Sequence, residues 1–346
     1  MSTRAGFIRD HPLFRGCAEV DGRSGILPPV ASLREIADNP PVRPRPLQLL
    51  VLLSGILAVS TASLFIRYAQ PAASSLTIAA GRLVFATLAL APLALTRHHA
   101  ALARLTAREL RLAALAGLFL AAHFALWIAS LERTTVASSV VLVTTTPLWV
   151  GLLSPLVLRE PLTRRLALGI VLALAGGVIV GLGDAGGTRA AADPAGRALL
   201  GDLLALSGAW MMAGYLMVGR RLRAGLTLVP YIFVVYGMAA VLLTVAMAAT
   251  GRSLFGLAPA TYLWLTLLAL VPQLLGHSSF NWALRYLPAS FVAIALLGEP
   301  VGSSALAFGL LHEVPTPLKL GGAVLILAGI AVAALGAAPA AAQAEL

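Results

Sequence analysis

The feature that most limits what this chain can fold into is a set of long runs without charge. Gln48 to Ile66, Leu112 to Leu131, Thr134 to Leu158, Leu166 to Gly183, Leu203 to Gly219, Ala224 to Gly251 and Leu320 to Ala344 contain no Asp, Glu, Lys or Arg. Ser253 to Leu284 is the same, with one histidine. Each run reaches or approaches the ~20 residues that cross about 30 Å of hydrocarbon. A large soluble protein can bury one such segment, but eight exceed what a soluble core holds. Only 11% of the 346 residues are charged, against roughly 25% in soluble domains. The composition therefore specifies an all-α polytopic membrane protein.

Charges and prolines divide the apolar mass into ten expected crossings, at 47–66, 73–95, 111–131, 135–158, 164–183, 198–219, 227–248, 260–284, 288–311 and 317–336. With the N-terminus in the cytoplasm, 13 Lys and Arg residues fall on the inside, counting only Arg43 and Arg45 of the N-terminal tail, and 6 in outside loops. That bias follows the positive-inside rule and puts both termini in the cytoplasm of a multi-pass cell-membrane protein. The net charge of +11 is explained by the same placement, so nucleic acid is not an expected partner. Residues 1–46 are polar and rich in Arg, Pro and Gly, which reads as a disordered cytoplasmic tail rather than a cleaved signal peptide. Residues 337–346 form a second short tail. Cys17 is the single cysteine and permits no intrachain disulfide.

The two halves repeat. Pro147 and Glu160 match Pro300 and Glu313, each 153 positions apart, and "VASS" at Val136 matches "PASF" at Pro288 at 152. Five crossings per half make the second copy enter from the opposite side. The expected organisation is thus one repeat at 47–183, an external linker at 184–197 and a second repeat at 198–336. Inverted repeats of this kind underlie alternating access.

Two crossings carry an isolated charge. Arg82 has fourteen uncharged residues on either side and Glu299 has thirteen. A charge at mid-membrane costs roughly 2.5–3.5 kcal/mol on insertion scales, so both must face the bundle interior, a partner or water. Arg82 suits an anionic group such as a carboxylate; Glu299 suits a proton or a substrate amine. A structural ion pair between the two is the competing reading. Gln273, His277 and Asn281 recur every four residues and share a helix face, just after Pro272, which loosens the preceding turn. His123 and Trp127 have the same spacing in the third crossing. Such stripes mark a cavity lining or a helix–helix seam. Pro147 and Pro300 are expected to bend their crossings and expose backbone dipoles. Gly177 with Gly181, and Gly298 with Gly302, have small-xxx-small spacing for close contact. Glu160 is expected near a surface, paired with Arg159, Arg164 or Arg165.

No Walker loop, HExxH or G-x-S-x-G elbow occurs in a suitable context, and no His, Cys or acidic cluster has metal spacing. Neither a catalytic set, a metal nor a cofactor is expected. The readings that remain are a transporter, a passive channel or an importer for a small solute.

The segments "GRLVFATLALAPLAL", "HFALWIASLERTTVASSVVLVTTTPLWVGLLSPLVLREPLT", "GDLLALSGAWMMAGYLMVGRRLR" and "VPQLLGHSSFNWALRYLPASFVAIALLGEPVGSSALAFGLL" resemble the EamA family of the drug/metabolite transporter superfamily, from Leu47 to Leu335. The resemblance implies ten helices in two inverted five-helix repeats, both ends cytoplasmic, and export of amino acids or other small metabolites, with a proton as one coupling ion. It also implies a central cavity among the third, fourth, eighth and ninth helices, where His123, Trp127, His277, Asn281 and Glu299 fall. A monomer and a homodimer fit equally.

Overall fold

The computed structural model describes residues 44–134, 139, 142–185, 195–311 and 316–336, all within one compact unit, Pro41–Leu346. The N-terminal tail to residue 43, most of the 184–197 linker, Glu313 and the C-terminal tail lie outside the described residues.

The apolar runs form helices, as their lack of internal breakers requires. In chain order these are α1 (Pro46–Val59), α2 (Ala62–Ala69), α3 (Ser75–Arg97), α4 (Ala107–Ser130), α5 (Thr146–Val157), α6 (Arg164–Ala185), α7 (Ala195–Gly225) and α8 (Leu228–Ala249). Then come α9 (Pro259–Leu268), a π-helical stretch Ala269–His277, α10 (Ser278–Ala283), α11 (Ala289–Leu296), α12 (Gly298–Leu311) and α13 (Pro317–Gly336). Starts are set by capping. The Ser74 hydroxyl accepts from the Thr77 N–H at α3, and Thr106 and Glu109 form a reciprocal capping box at α4. These bonds satisfy donors that a helix start leaves open.

Among the described residues, six helical stretches are long and apolar enough to cross a membrane: Pro46–Ala69, Ser75–Arg97, Ala107–Ser130, Leu199–Gly225, Leu228–Ala249 and Pro259–Ala283. Thr146–Val157, Ala289–Ser303 and Leu320–Gly336 are shorter and equally apolar. The protein is all-α and polytopic.

Three expected kinks have a different form. Pro147 is the second residue of α5, and Pro300 the third of α12, which restarts after a break at Leu297. Each proline sits in a first turn, where its missing N–H forfeits no bond. The two crossings are therefore interrupted rather than bent. Pro272 lies inside the π-helical stretch, consistent with a local loss of α-helical hydrogen bonding around it. The sixth crossing also runs on to Gly225, so Arg220 and Arg223, expected in a loop, are helical and buried.

Glycine sets the closest helix contacts, though not at all the expected positions. A Cβ on Gly177 would meet only ordinary van der Waals contact. The tight seam between α6 and α13 is instead made by Gly169 against Gly329 and by Gly176 against Gly322, where an added Cβ would come within 2.7 Å and 2.6 Å of the opposing carbonyl oxygens. Gly169 and Gly322 are 153 positions apart, as are Gly176 and Gly329; one contact becomes the other with the partners exchanged. The pair Gly298 and Gly302 does admit a neighbour, packing on Ile56 and Ser60.

Candidate functional site

The site grows from α3, whose one mid-helix charge, Arg82, has nowhere polar to go but inward. Arg82 is 1% exposed. Its Nε donates to Gln273 Oε1 at 2.8 Å, and its guanidinium carbon lies 4.1 Å from the centre of the Phe124 ring. A desolvated cation over an aromatic face gains about 2 kcal/mol. The two terminal nitrogens, Nη1 and Nη2, are buried and find no protein partner among the described residues. An unmet buried hydrogen bond costs about 1–3 kcal/mol, more for a charged group.

Around Arg82 the expected stripe of the eighth crossing closes into a network. Gln273 is fully buried, with Nε2 unpartnered. Asn281 Nδ2 donates to the hydroxyls of Tyr215 at 2.6 Å and Tyr236 at 3.2 Å, and Tyr236 shares a hydrogen bond with Ser278 at 3.2 Å. His277 packs edge-on against Phe124, with ring centroids 5.3 Å apart, and its Nδ1 is unpartnered.

His123 and Trp127 stack on one another at 6.0 Å. The His123 Nδ1 lies 3.0 Å from the Gly208 carbonyl on α7, which ties the ring to a helix seam, while the buried Trp127 Nε1 has no partner. The structure thus joins Arg82 to Gln273, to Phe124 and through that ring to His277, and links Asn281 to two tyrosines.

Glu299 stands apart in the first turn of α12, partly buried. Its backbone carbonyl accepts from the Ser60 hydroxyl at 3.2 Å. Among the described residues no ion pair within 4.0 Å joins it to Arg82. The competing reading of a direct ion pair between the two is not what the geometry shows.

Phe124 and Ser278 were not singled out in the sequence; Tyr215 and Tyr236 stood out only as general aromatic candidates in apolar crossings. Their signal was proximity in register to the stripe on the eighth crossing, which becomes visible only once α7 and α8 are placed against it.

The repeat offers an internal comparison. At 153 positions away, Arg82 is matched by Val235 and Tyr236 by Leu83, and at the 152 that holds beside Val136, Gln273 is matched by Ala121 and Asn281 by Ala129. Val235 and Leu83 are 0% exposed, Ala121 is buried and Ala129 is partly buried. The corresponding backbone packs there with apolar side chains alone.

A second polar cluster lies where α5, α7 and the loop before α11 meet. Glu160 Oε1 accepts from Arg220 Nε at 2.5 Å and its Oε2 from the Ala289 N–H at 3.0 Å. Arg220 Nη1 donates to the Leu284 carbonyl at 2.7 Å. Glu160 is buried and pairs with Arg220, not with the neighbouring Arg159, Arg164 or Arg165. Its placement follows a left-handed turn at Arg159, φ 56°.

One shallow groove, between α3 and α8, is lined by Val84, Thr87, Leu88, Gly237, Ala240, Val241, Thr244 and Val245. Leu88, Val241 and Val245 are outward and exposed, so this groove belongs to the apolar surface. Among the described residues no group of three or more His, Cys, Asp or Glu side chains could hold a metal ion.

Comparison with known proteins decides the family. The profile of the EamA-like transporter family matches twice, over residues 46–182 and 199–335. The chain belongs to the EamA-like transporter family. Membership makes it a transporter-type membrane protein and not an enzyme. A crystal structure of a protein with 20% sequence identity superposes with a TM-score of 0.67, over 84% of this chain and 97% of its own; at that identity the likeness speaks for the EamA member's fold alone. A search of curated sequences finds no match.

Proposed function

We propose that this EamA member is a secondary transporter that exports small metabolites such as amino acids by alternating access, with the Arg82 cluster as its solute site. The observation that carries the site is the pair of buried, unpartnered Arg82 nitrogens. A fold has no use for them, since the matched region around Val235 packs without a charge. Arg82, Gln273, His277, Asn281, His123 and Trp127 contact solute or line its path; Glu299 carries a proton or faces a substrate amine.

Ten crossings form two inverted repeats, 47–183 and 198–336, with both termini cytoplasmic. The exchanged glycine contacts between α6 and α13 support that symmetry, and the double family match supports the repeat. In this reading the interruptions at Pro147 and Pro300 are matched hinge points, and the Glu160–Arg220 pair fastens the cytoplasmic end shut.

The test is counterflow in proteoliposomes. Purified protein loaded with a mixed amino-acid and metabolite pool should accumulate one labelled member against the pool gradient, with saturation. Linear, unsaturable flux would instead indicate a channel, and no exchange across the panel would remove the transport reading.

A further inference from the structure

The unsatisfied groups of Arg82 and Gln273 are of one kind, and that kind names a ligand. Arg82 Nη1 and Nη2 and Gln273 Nε2 are all donors, all buried and all without a protein acceptor among the described residues. Gln273 is oriented by giving its Oε1 to Arg82 Nε, so its amide nitrogen is the group left over beside the guanidinium. Phe124 covers one face of the guanidinium, leaving the in-plane edge as the direction for a new partner. An edge of two parallel N–H donors matches the two oxygens of a carboxylate. We propose that the Nη1–Nη2 edge of Arg82, with Gln273 Nε2 beside it, is a subsite for a single monoanionic carboxylate on the transported solute.

The charge balance separates this ligand from other anions. One buried guanidinium offers one positive charge, which a single carboxylate balances, and among the described residues no ion pair within 4.0 Å already occupies it. A dianionic phosphate or sulfate at the same place would leave negative charge uncompensated in a low-dielectric interior, which is strongly disfavoured. A neutral amide would meet the donors with one oxygen and present its own N–H groups to the rest. A Lys at position 82 would keep the charge and lose the two-pronged edge.

This inference rests on the transport reading for its biological sense but not for its test. Purified protein in detergent is titrated with pairs that share a side chain and differ only in the end group, leucine with leucinamide and phenylalanine with phenylalaninamide; 4-methyl-2-oxopentanoate tests the carboxylate without the amine, and phosphoserine, which adds a phosphate dianion to the same amino-acid end, tests the added charge. Binding is read by thermal shift and calorimetry, and exchange of the same probes by counterflow.

The expected result is saturable binding of at least one monocarboxylate, at least about tenfold tighter than its amide, given the worth of a charge-assisted bond. The preference should vanish in Arg82→Gln and weaken in Arg82→Lys and Gln273→Leu. Because the wild-type pairs carry the comparison, a variant that fails to fold does not block the test. Equal binding of acid and amide, tighter binding of phosphoserine, or no binding of any monocarboxylate would overturn the subsite. Carboxylate binding without exchange would keep the subsite and remove the transport reading; exchange without end-group preference would do the reverse.

Discussion

Glu160 and Arg220 form a buried ion pair at 2.5 Å, with side chains 9% and 5% exposed, that joins the turn after α5 to the end of α7. The carboxylate also caps the Ala289 N–H at the start of α11, and the guanidinium holds the Leu284 carbonyl. One pair therefore fastens three chain segments at one end of the bundle. Breaking such a pair from one side leaves an uncompensated charge and costs about 3–5 kcal/mol, while replacing both partners costs far less.

Glu160→Gln and Arg220→Met should therefore each lower the melting temperature of the purified protein, and the double variant should recover much of the loss. A double-mutant cycle by thermal unfolding checks this. Additive losses would show that the two side chains act independently.

Arg82 should matter to solute and little to folding. Removing a buried charge whose two terminal nitrogens are unmet among the described residues relieves a desolvation cost, set against the single Gln273 hydrogen bond and the Phe124 contact that are lost, and the matched Val235 already packs at 0% exposure. Arg82→Leu is expected to keep the wild-type melting temperature, or raise it, and to lose solute exchange. Unfolding of Arg82→Leu by several kcal/mol would assign Arg82 a structural role.

The α6–α13 seam has no room for side chains. A Cβ on Gly176 would stand 2.6 Å from the Gly322 carbonyl oxygen and 2.7 Å from the Ile326 nitrogen, both backbone atoms. Gly176→Val should destabilise by about 1–3 kcal/mol or more through overpacking. Gly309, with nothing within 4 Å of its Cβ position, should accept alanine without loss. Comparing the two by thermal unfolding isolates the packing effect from glycine's general flexibility.

Arg159 holds a left-handed backbone at φ 56°, a region that glycine occupies without steric cost. Arg159→Gly should leave the protein folded with a change within about 1 kcal/mol, while a β-branched Arg159→Val should cost more. The melting temperatures of the two variants order the effect.

Much of this was legible before any helix was placed. The uncharged runs dictate membrane helices because a bilayer leaves no other way to satisfy the backbone. The isolation of Arg82 already demanded an interior partner. What the residues could not reveal was which partner. Gln273 is 191 positions from Arg82, and only the packing of the π-helical stretch against α3 brings them together. Glu160 was read toward its nearest arginines because sequence distance was the available guide, while the left-handed turn at Arg159 sends it toward Arg220. Pro147 and Pro300 were read as bends inside their crossings, whereas each stands in the first turn of a helix, a position that depends on where the helix restarts. The apolar counterparts of the Arg82 network were in the sequence throughout, at the offsets that Pro147 with Pro300 and Val136 with Pro288 already mark.

The central claim is that the Arg82 cluster lies on a path opened alternately from the two sides of the membrane. Ser278 shares a hydrogen bond with Tyr236 in that cluster, and with Cys17→Ser in the background a Ser278→Cys protein has one thiol. Labelling by a membrane-impermeant maleimide, in right-side-out and inside-out vesicles, measures access from each side. The account expects labelling from both sides, with Glu160→Gln raising the cytoplasmic rate and lowering the external one. Labelling from neither side, or from both with no reciprocal response to Glu160→Gln, would contradict it.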